Sequence, residues 1–91
     1  MSSQVIHKFP LLVKAEQTIN ICTGAWILDF QVQNGVPTIW AMVDTSHKKF
    51  DRDILMFATG ENIDCIANLE FIGTAQLPNG LVFHYFQRVA F

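Results

Sequence analysis

The residues that could do chemistry in this chain are few and widely separated. The three histidines and two cysteines lack the close, regular spacing of a metal site. The serines have no base at a motif spacing, the carboxylates are scattered, and no glycine-rich loop precedes a helix to bind phosphate. The sequence therefore predicts a protein without catalytic residues, metal or cofactor. Cys22 and Cys65 are expected to be buried free thiols, and a disulfide or a catalytic thiol is the alternative.

The best candidate site lies on the hairpin around Asn34-Gly35. When the two strands are paired outward from this turn, period-two alternation places four side chains on one mixed face: Asp29, Gln31, Thr38 and Trp40. A solvated outer face is one explanation, and an interaction surface with Trp40 as its aromatic anchor is the functional alternative. Stacking of a nucleotide base on Trp40 or Tyr85 is a further alternative.

A charged run at residues 44–53 follows this hairpin directly. We interpret it as a solvated, charge-neutral loop whose basic and aromatic members are Lys48, Lys49, Phe50 and Arg52. As a contact loop it could bind an acidic protein surface or the phosphates of a signalling nucleotide. Because the loop leaves from the end of the hairpin, the sequence predicts one contact surface made by both.

Two Asn-Gly turns indicate the elements that position these residues. The first, Asn34-Gly35, predicts a type I′ turn in which both residues have positive φ. Its register predicts a core face made of four apolar pairs: Val32 with Pro37, Phe30 with Ile39, Leu28 with Ala41, and Trp26 with Val43.

The second turn, Pro78-Asn79-Gly80, predicts a three-residue loop that pairs Leu77 with Leu81. That register sets Thr74 opposite His84, Gly73 opposite Tyr85, and Glu70 opposite Arg88. The alternative two-residue loop sets Phe71 opposite Arg88. His84 is then either a hydrogen-bonded side chain on the sheet or a ligand-binding residue.

Short β-favouring runs with polar connections extend along the whole chain. They predict one all-β domain over residues 1–91, an antiparallel sandwich or a small, partly open barrel of about six or seven strands. Hydrophobic residues make up 51% and charged residues 15% of the chain. A domain this small cannot bury so much apolar surface alone, so we expect a homodimer or higher homo-oligomer.

The composition also bounds the location and the partners. No apolar stretch is long enough to span a membrane, and the first residues do not resemble a signal peptide, so a cytoplasmic protein is predicted. The net charge of −2 argues against nonspecific nucleic-acid binding, which needs an excess of basic residues.

Several ordered segments resemble a family of small uncharacterised proteins encoded by bacteriophages and prophages. The segments are Gly24-Ala25-x-Ile27-Leu28, Gln31-Val32-Gln33-Asn34-Gly35-x-Pro37, Trp40-Ala41-x-Val43-Asp44, Thr59-Gly60, Leu69-Glu70-Phe71-Ile72-Gly73-Thr74-x-Gln76 and Val82-Phe83-His84-x-Phe86. The resemblance brings no established activity and no catalytic residues.

What the resemblance implies is a context in the host cytoplasm. Small phage proteins of this kind are often host-takeover or anti-defence factors, which bind a host protein or a host-made signalling nucleotide. The alternative is an accessory or assembly component of the virion.

Overall fold

The computed structural model describes residues 3–64 and 68–89, and within them the chain is all β, with no helix. Seven strands are present: β1 (Gln4–Pro10), β2 (Glu16–Cys22), β3 (Trp26–Gln33), β4 (Val36–Asp44), β5 (Lys49–Ala58), β6 (Leu69–Gln76) and β7 (Val82–Arg88). They pair antiparallel in two sheets that do not close into a barrel. Of the two predicted architectures, the sandwich is confirmed.

The chain crosses between the sheets several times. Sheet A has three strands in the order β1-β4-β3, and sheet B has four strands in the order β2-β5-β7-β6. The connection from β4 to β5 is one of these crossings, so β5 does not extend the surface of the first hairpin.

The first hairpin confirms the predicted register next to its turn. Asn34 and Gly35 have φ of 52° and 80°, as a type I′ turn requires. The register holds as far as the Asp29–Trp40 pair, and then a β-bulge at Leu28 shifts it by one residue. Trp26 therefore lies opposite Met42 rather than Val43, and the prediction that Leu28 and Trp26 face the core is wrong.

The second hairpin shows the same pattern. Gly80 N donates to Leu77 O at 3.0 Å, and the predicted pairs Thr74–His84 and Gly73–Tyr85 are present. A bulge at Ile72 then shifts the register, so Glu70 lies opposite Gln87. The predicted Glu70–Arg88 pair and the alternative Phe71–Arg88 pair are both wrong.

Residues 44–53 are not the loop that the sequence predicted. A short turn follows Asp44, and β5 begins at Lys49. The strand extends this far because residues 49–55 pair with the whole length of β2. Alternation along β5 then directs Phe50 and Arg52 to one face of sheet B, and Lys49 and Asp51 to the other.

The core lies between the inner faces of the two sheets. Its fully buried members include Ile39, Ala41 and Val43 of β4, and Ile21, Ile54, Ala75 and Tyr85 of sheet B. The Phe30 ring of sheet A packs 5.4 Å from the Tyr85 ring, and a Cβ at Gly73 would collide with Phe30. Cys22 is buried and free, as predicted, whereas Cys65 lies outside the described residues.

The described part of the chain contains no helix of the length and apolarity that crossing a membrane requires.

Candidate functional site

The outer face of sheet A carries the candidate site, and its first row is Lys8–Trp40–Asp29. Trp40 lies on the central strand β4, between Lys8 of β1 and Asp29 of β3. The Asp29 carboxylate accepts hydrogen bonds from the backbone N of Phe30 at 2.8 Å and from Gln31 Nε2 at 3.3 Å. Trp40 is half-buried, and Asp29 and Gln31 are exposed. The structure thus brings together three of the four residues predicted for this face.

The second row of this face is Ile6–Met42–Trp26. The side chains of Trp26 and Ile6 are 70% and 59% exposed. Trp26 reaches this face because the bulge at Leu28 reverses the direction of the side chains that precede it. Sequence reasoning missed it, since an uninterrupted apolar run from Trp26 to Leu28 gives no sign of a bulge. We call the two rows, with Gln31, the tryptophan face.

Thr38 is a correction to the predicted surface. Alternation places it on the outer side of β4, yet it is only 2% exposed and its hydroxyl donates to Val36 O at 2.9 Å. Lys8 on β1 donates to Gln33 on β3 at 3.0 Å. These two strands flank β4, so the Lys8–Gln33 pair bridges over the strand beside Thr38 and helps to remove it from the surface.

A small hollow of about 230 Å³ borders the tryptophan face beside Trp26, and Asp44 and His47 line its far side. Asp44 Oδ1 accepts bonds from Ser46 Oγ at 2.6 Å, Ser46 N at 3.0 Å and Ser3 N at 3.2 Å. The bonds from Ser46 are the main cause that lowers the pKa of Asp44 below its ordinary value.

Ser46, His47 and Asp44 are the residue types of a catalytic triad, but they are not connected to each other as in a triad. The Ser46 hydroxyl donates to the Asp44 carboxylate, and His47 Nε2 lies 3.5 Å from the other carboxylate oxygen. His47 Nδ1 lies 2.9 Å from the Thr23 carbonyl, which can only accept, so Nδ1 carries a proton. No bond joins Ser46 to His47 among the described contacts, so the serine has no base in this arrangement.

The charged residues predicted to complete the contact surface lie elsewhere. Lys48 lies in the turn between the sheets and Lys49 begins β5, and both are exposed. Phe50 and Arg52 lie on the inner side of sheet B. Because β4 and β5 belong to different sheets, the single surface predicted from the hairpin and residues 44–53 does not form.

Arg52 instead belongs to a polar network across sheet B. Its Nη1 donates to Gln87 Oε1 at 2.6 Å, and Gln87 Nε2 donates to Glu70 Oε1 at 2.9 Å. The guanidinium also lies 5.2 Å from the centre of the Phe50 ring. Burial lowers the pKa of Arg52, and the charge of Glu70 opposes that shift. The bulge at Ile72 places Glu70 here, so the sequence-based register missed the network.

His84 and Tyr85 have different surroundings. The imidazole nitrogens of His84 lie 2.7 Å from Thr59 Oγ1 and 2.9 Å from Thr74 Oγ1, which confirms a hydrogen-bonded side chain on the sheet. Tyr85 is fully buried and its hydroxyl donates to Leu12 O at 3.2 Å. Burial raises the pKa of that hydroxyl. The ring therefore offers no face to a nucleotide, which corrects the prediction that it contributes to binding.

A second aromatic group occupies the outer face of sheet B. The Phe86 ring lies 5.7 Å from Phe57 and 5.4 Å from Phe71, and Phe71 is 56% exposed. Within residues 3–64 and 68–89, no group of three or more His, Cys, Asp and Glu side chains could hold a metal ion.

Comparison with known proteins identifies the family of this chain. Residues 2–91 match a family described as Domain of unknown function (DUF7352), in agreement with the resemblance to uncharacterised proteins. The match carries no information on a phage origin, which stays a prediction. No curated protein and no solved structure matches the chain.

Proposed function

We propose that this chain, which belongs to the DUF7352 family of unknown function, is a non-catalytic binding protein that contacts another protein through its tryptophan face. The observation that carries the proposal is Trp26, whose side chain is 70% exposed beside Met42 and in one row with Ile6. Tryptophan is enriched among the residues that dominate protein interfaces, because it buries a large apolar area and keeps one polar N–H.

The surroundings of Trp26 support a protein as the partner. Lys8, Asp29 and Gln31 lie beside the apolar row, which resembles the polar rim of an interface around its apolar centre. The face is the broad side of a sheet, and the hollow beside Trp26, about 230 Å³, is smaller than a typical nucleotide pocket. A flat partner surface fits this geometry better than a small ligand.

The resemblance to phage and prophage proteins supplies the setting of the proposal. In that setting the protein acts in the host cytoplasm as a host-takeover or anti-defence inhibitor, and its partner is a host protein that it occupies. We further propose that it acts as a homodimer, in line with its 51% hydrophobic content.

The test compares matched aromatic truncations. Immobilised wild-type protein first captures a partner from host lysate. The purified partner is then titrated against wild type, Trp26→Ala, Trp40→Ala and the control Phe71→Ala. Phe71 is an exposed aromatic on the opposite outer face. We expect Trp26→Ala and Trp40→Ala to lose about 2 kcal/mol of binding free energy or more, roughly 30-fold in Kd, with the fold retained.

Other outcomes decide against the proposal. If Phe71→Ala abolishes binding and Trp26→Ala does not, the outer face of sheet B is the contact surface. A thermal shift with cyclic nucleotides and no protein partner would favour the nucleotide ligand. Stoichiometric recovery of the protein in purified virions would favour an accessory component of the particle.

A further inference from the structure

Strand β1 is the least covered element of the fold. All of its residues are exposed except the half-buried Phe9, and its ladder with β4 holds it in sheet A. It ends the strand order of that sheet, so no strand of the described residues lies along its other side. An exposed strand edge of this length is a template for pairing with another strand.

The free backbone groups of β1 belong to its even-numbered residues. Just beyond the ladder, Leu11 N donates to Pro37 O at 2.8 Å, and bonded residues alternate along an antiparallel pair. Odd-numbered residues therefore bond to β4. The N–H and C=O groups directed to the open edge belong to Gln4, Ile6 and Lys8.

A lysine on an edge strand often prevents such pairing, because its charge would be brought against another strand. Lys8 does not place its charge at this edge, because its Nζ donates to Gln33 Oε1 on β3, the far strand of the sheet, at 3.0 Å. The side chain at the centre of the edge is Ile6, which is 59% exposed. An apolar centre favours pairing.

We propose that β1 pairs antiparallel with β1 of a second copy about a twofold axis at Ile6, which joins two copies of sheet A into one continuous sheet. Ile6 then lies opposite the partner's Ile6, and Gln4 lies opposite the partner's Lys8. In this register Pro10 lies outside the paired segment. A register centred on His7 would instead set Pro10, which lacks an N–H, opposite the partner's Gln4.

The side chains of the outer face are complementary in the same register. The row Ile6–Met42–Trp26 meets the same row of the second copy, so one apolar stripe crosses the joined sheet. Lys8 comes beside the partner's Gln4, whose neighbour in the ladder is the acidic Asp44. Like charges directly opposite each other would oppose the pairing, and none of these pairs contains them. The pairing gives the proposed homodimer its interface. It does not depend on the proposed contact with a host protein, although it would place two tryptophan faces on one side of the dimer.

Sedimentation velocity with charge-swapped variants tests this pairing. We expect wild-type protein at tens of micromolar to be dimeric. Both Ile6→Arg and Ile6→Glu should be monomeric at this concentration, with the dimer Kd raised about 100-fold or more, because like charges meet at the axis. An equimolar mixture of the two variants should recover the dimer, which also shows that both are folded. Leu12→Arg is the control, since Leu12 is 61% exposed but lies outside β1.

Three results would overturn the pairing: a monomeric wild type at this concentration, a dimer that Ile6→Arg leaves intact, or a mixture that stays monomeric. Trp26→Ala should leave the dimer in place, because Trp26 lies two strands from the axis. A failure of partner binding and a failure of dimerisation are therefore measured separately.

Discussion

A single carboxylate, that of Asp44, stabilises the connection between the two sheets. It ends β4, and its Oδ1 accepts the backbone N–H groups of Ser3 and Ser46 together with the Ser46 hydroxyl. Bonds to the charged form lower its pKa below the ordinary value of 3.8. The turn between β4 and β5 is therefore stabilised by an ionised aspartate.

This ionisation predicts a specific pH dependence of stability. A carboxylate with a lowered native pKa contributes stability that is fully present above its ordinary pKa of 3.8 and is lost as the pH falls through the native pKa. We expect Asp44→Asn to lower Tm at pH 6, and the difference from wild type to shrink below about pH 4. Thermal unfolding across this range measures it. The control Asp64→Asn changes an exposed carboxylate, and an equal loss at every pH in Asp44→Asn would contradict the assignment.

The two β-bulges in β3 and β6 explain which side-chain positions the sequence predicted correctly and which it missed. Asn-Gly geometry fixes the register next to each turn, so Asp29, Gln31 and Trp40 could be placed on one face in advance. The bulge at Leu28 has no glycine beside it, and Gly73, which adjoins the bulge at Ile72, is equally accounted for by Tyr85 opposite it, so side chains beyond the bulges could not be assigned. Trp26 was missed for this reason.

Pairings between strands that are distant in sequence are the second reason why the prediction from the sequence was incomplete. Alternation gives the face of a residue but not its neighbouring strand, so the packing of β1 on β4, which covers Thr38, could not be predicted. The same holds for β5, whose pairing with β2 makes a strand from residues that read as a loop. These contacts depend on the arrangement of the whole sandwich rather than on local pattern.

The contact between β3 and β6 yields a stability prediction. Gly73 has no side chain because the Phe30 ring of the opposite sheet occupies that space. Gly73→Ala should therefore destabilise the protein by about 1–3 kcal/mol through overpacking. Denaturant unfolding measures the loss. The double variant Phe30→Leu/Gly73→Ala should lose less than the sum of the two single variants, because the smaller residue makes room for the new methyl group. Additive losses would show that the two residues do not share this space.

The molecule as a whole is a thin plate with an aromatic group on each of its two outer faces. Its Cα extents are 45, 32 and 16 Å. The tryptophan face covers one broad side, and the cluster of Phe57, Phe71 and Phe86 lies on the other. Two assemblies therefore compete: pairing of β1 edges within the plane of sheet A, and stacking of two copies through the phenylalanine cluster.

Small-angle scattering distinguishes these assemblies because the plate is so thin. Edge pairing adds the second copy within the sheet plane, which greatly raises the radius of gyration from the monomer Cα value of 13.6 Å. Stacking adds it along the 16 Å axis and raises the radius far less. We expect the in-plane value for the wild-type dimer, and the monomer value for Ile6→Arg. A compact dimer that Phe71→Ala dissociates would instead assign self-association to the outer face of sheet B and would overturn the pairing of β1 edges.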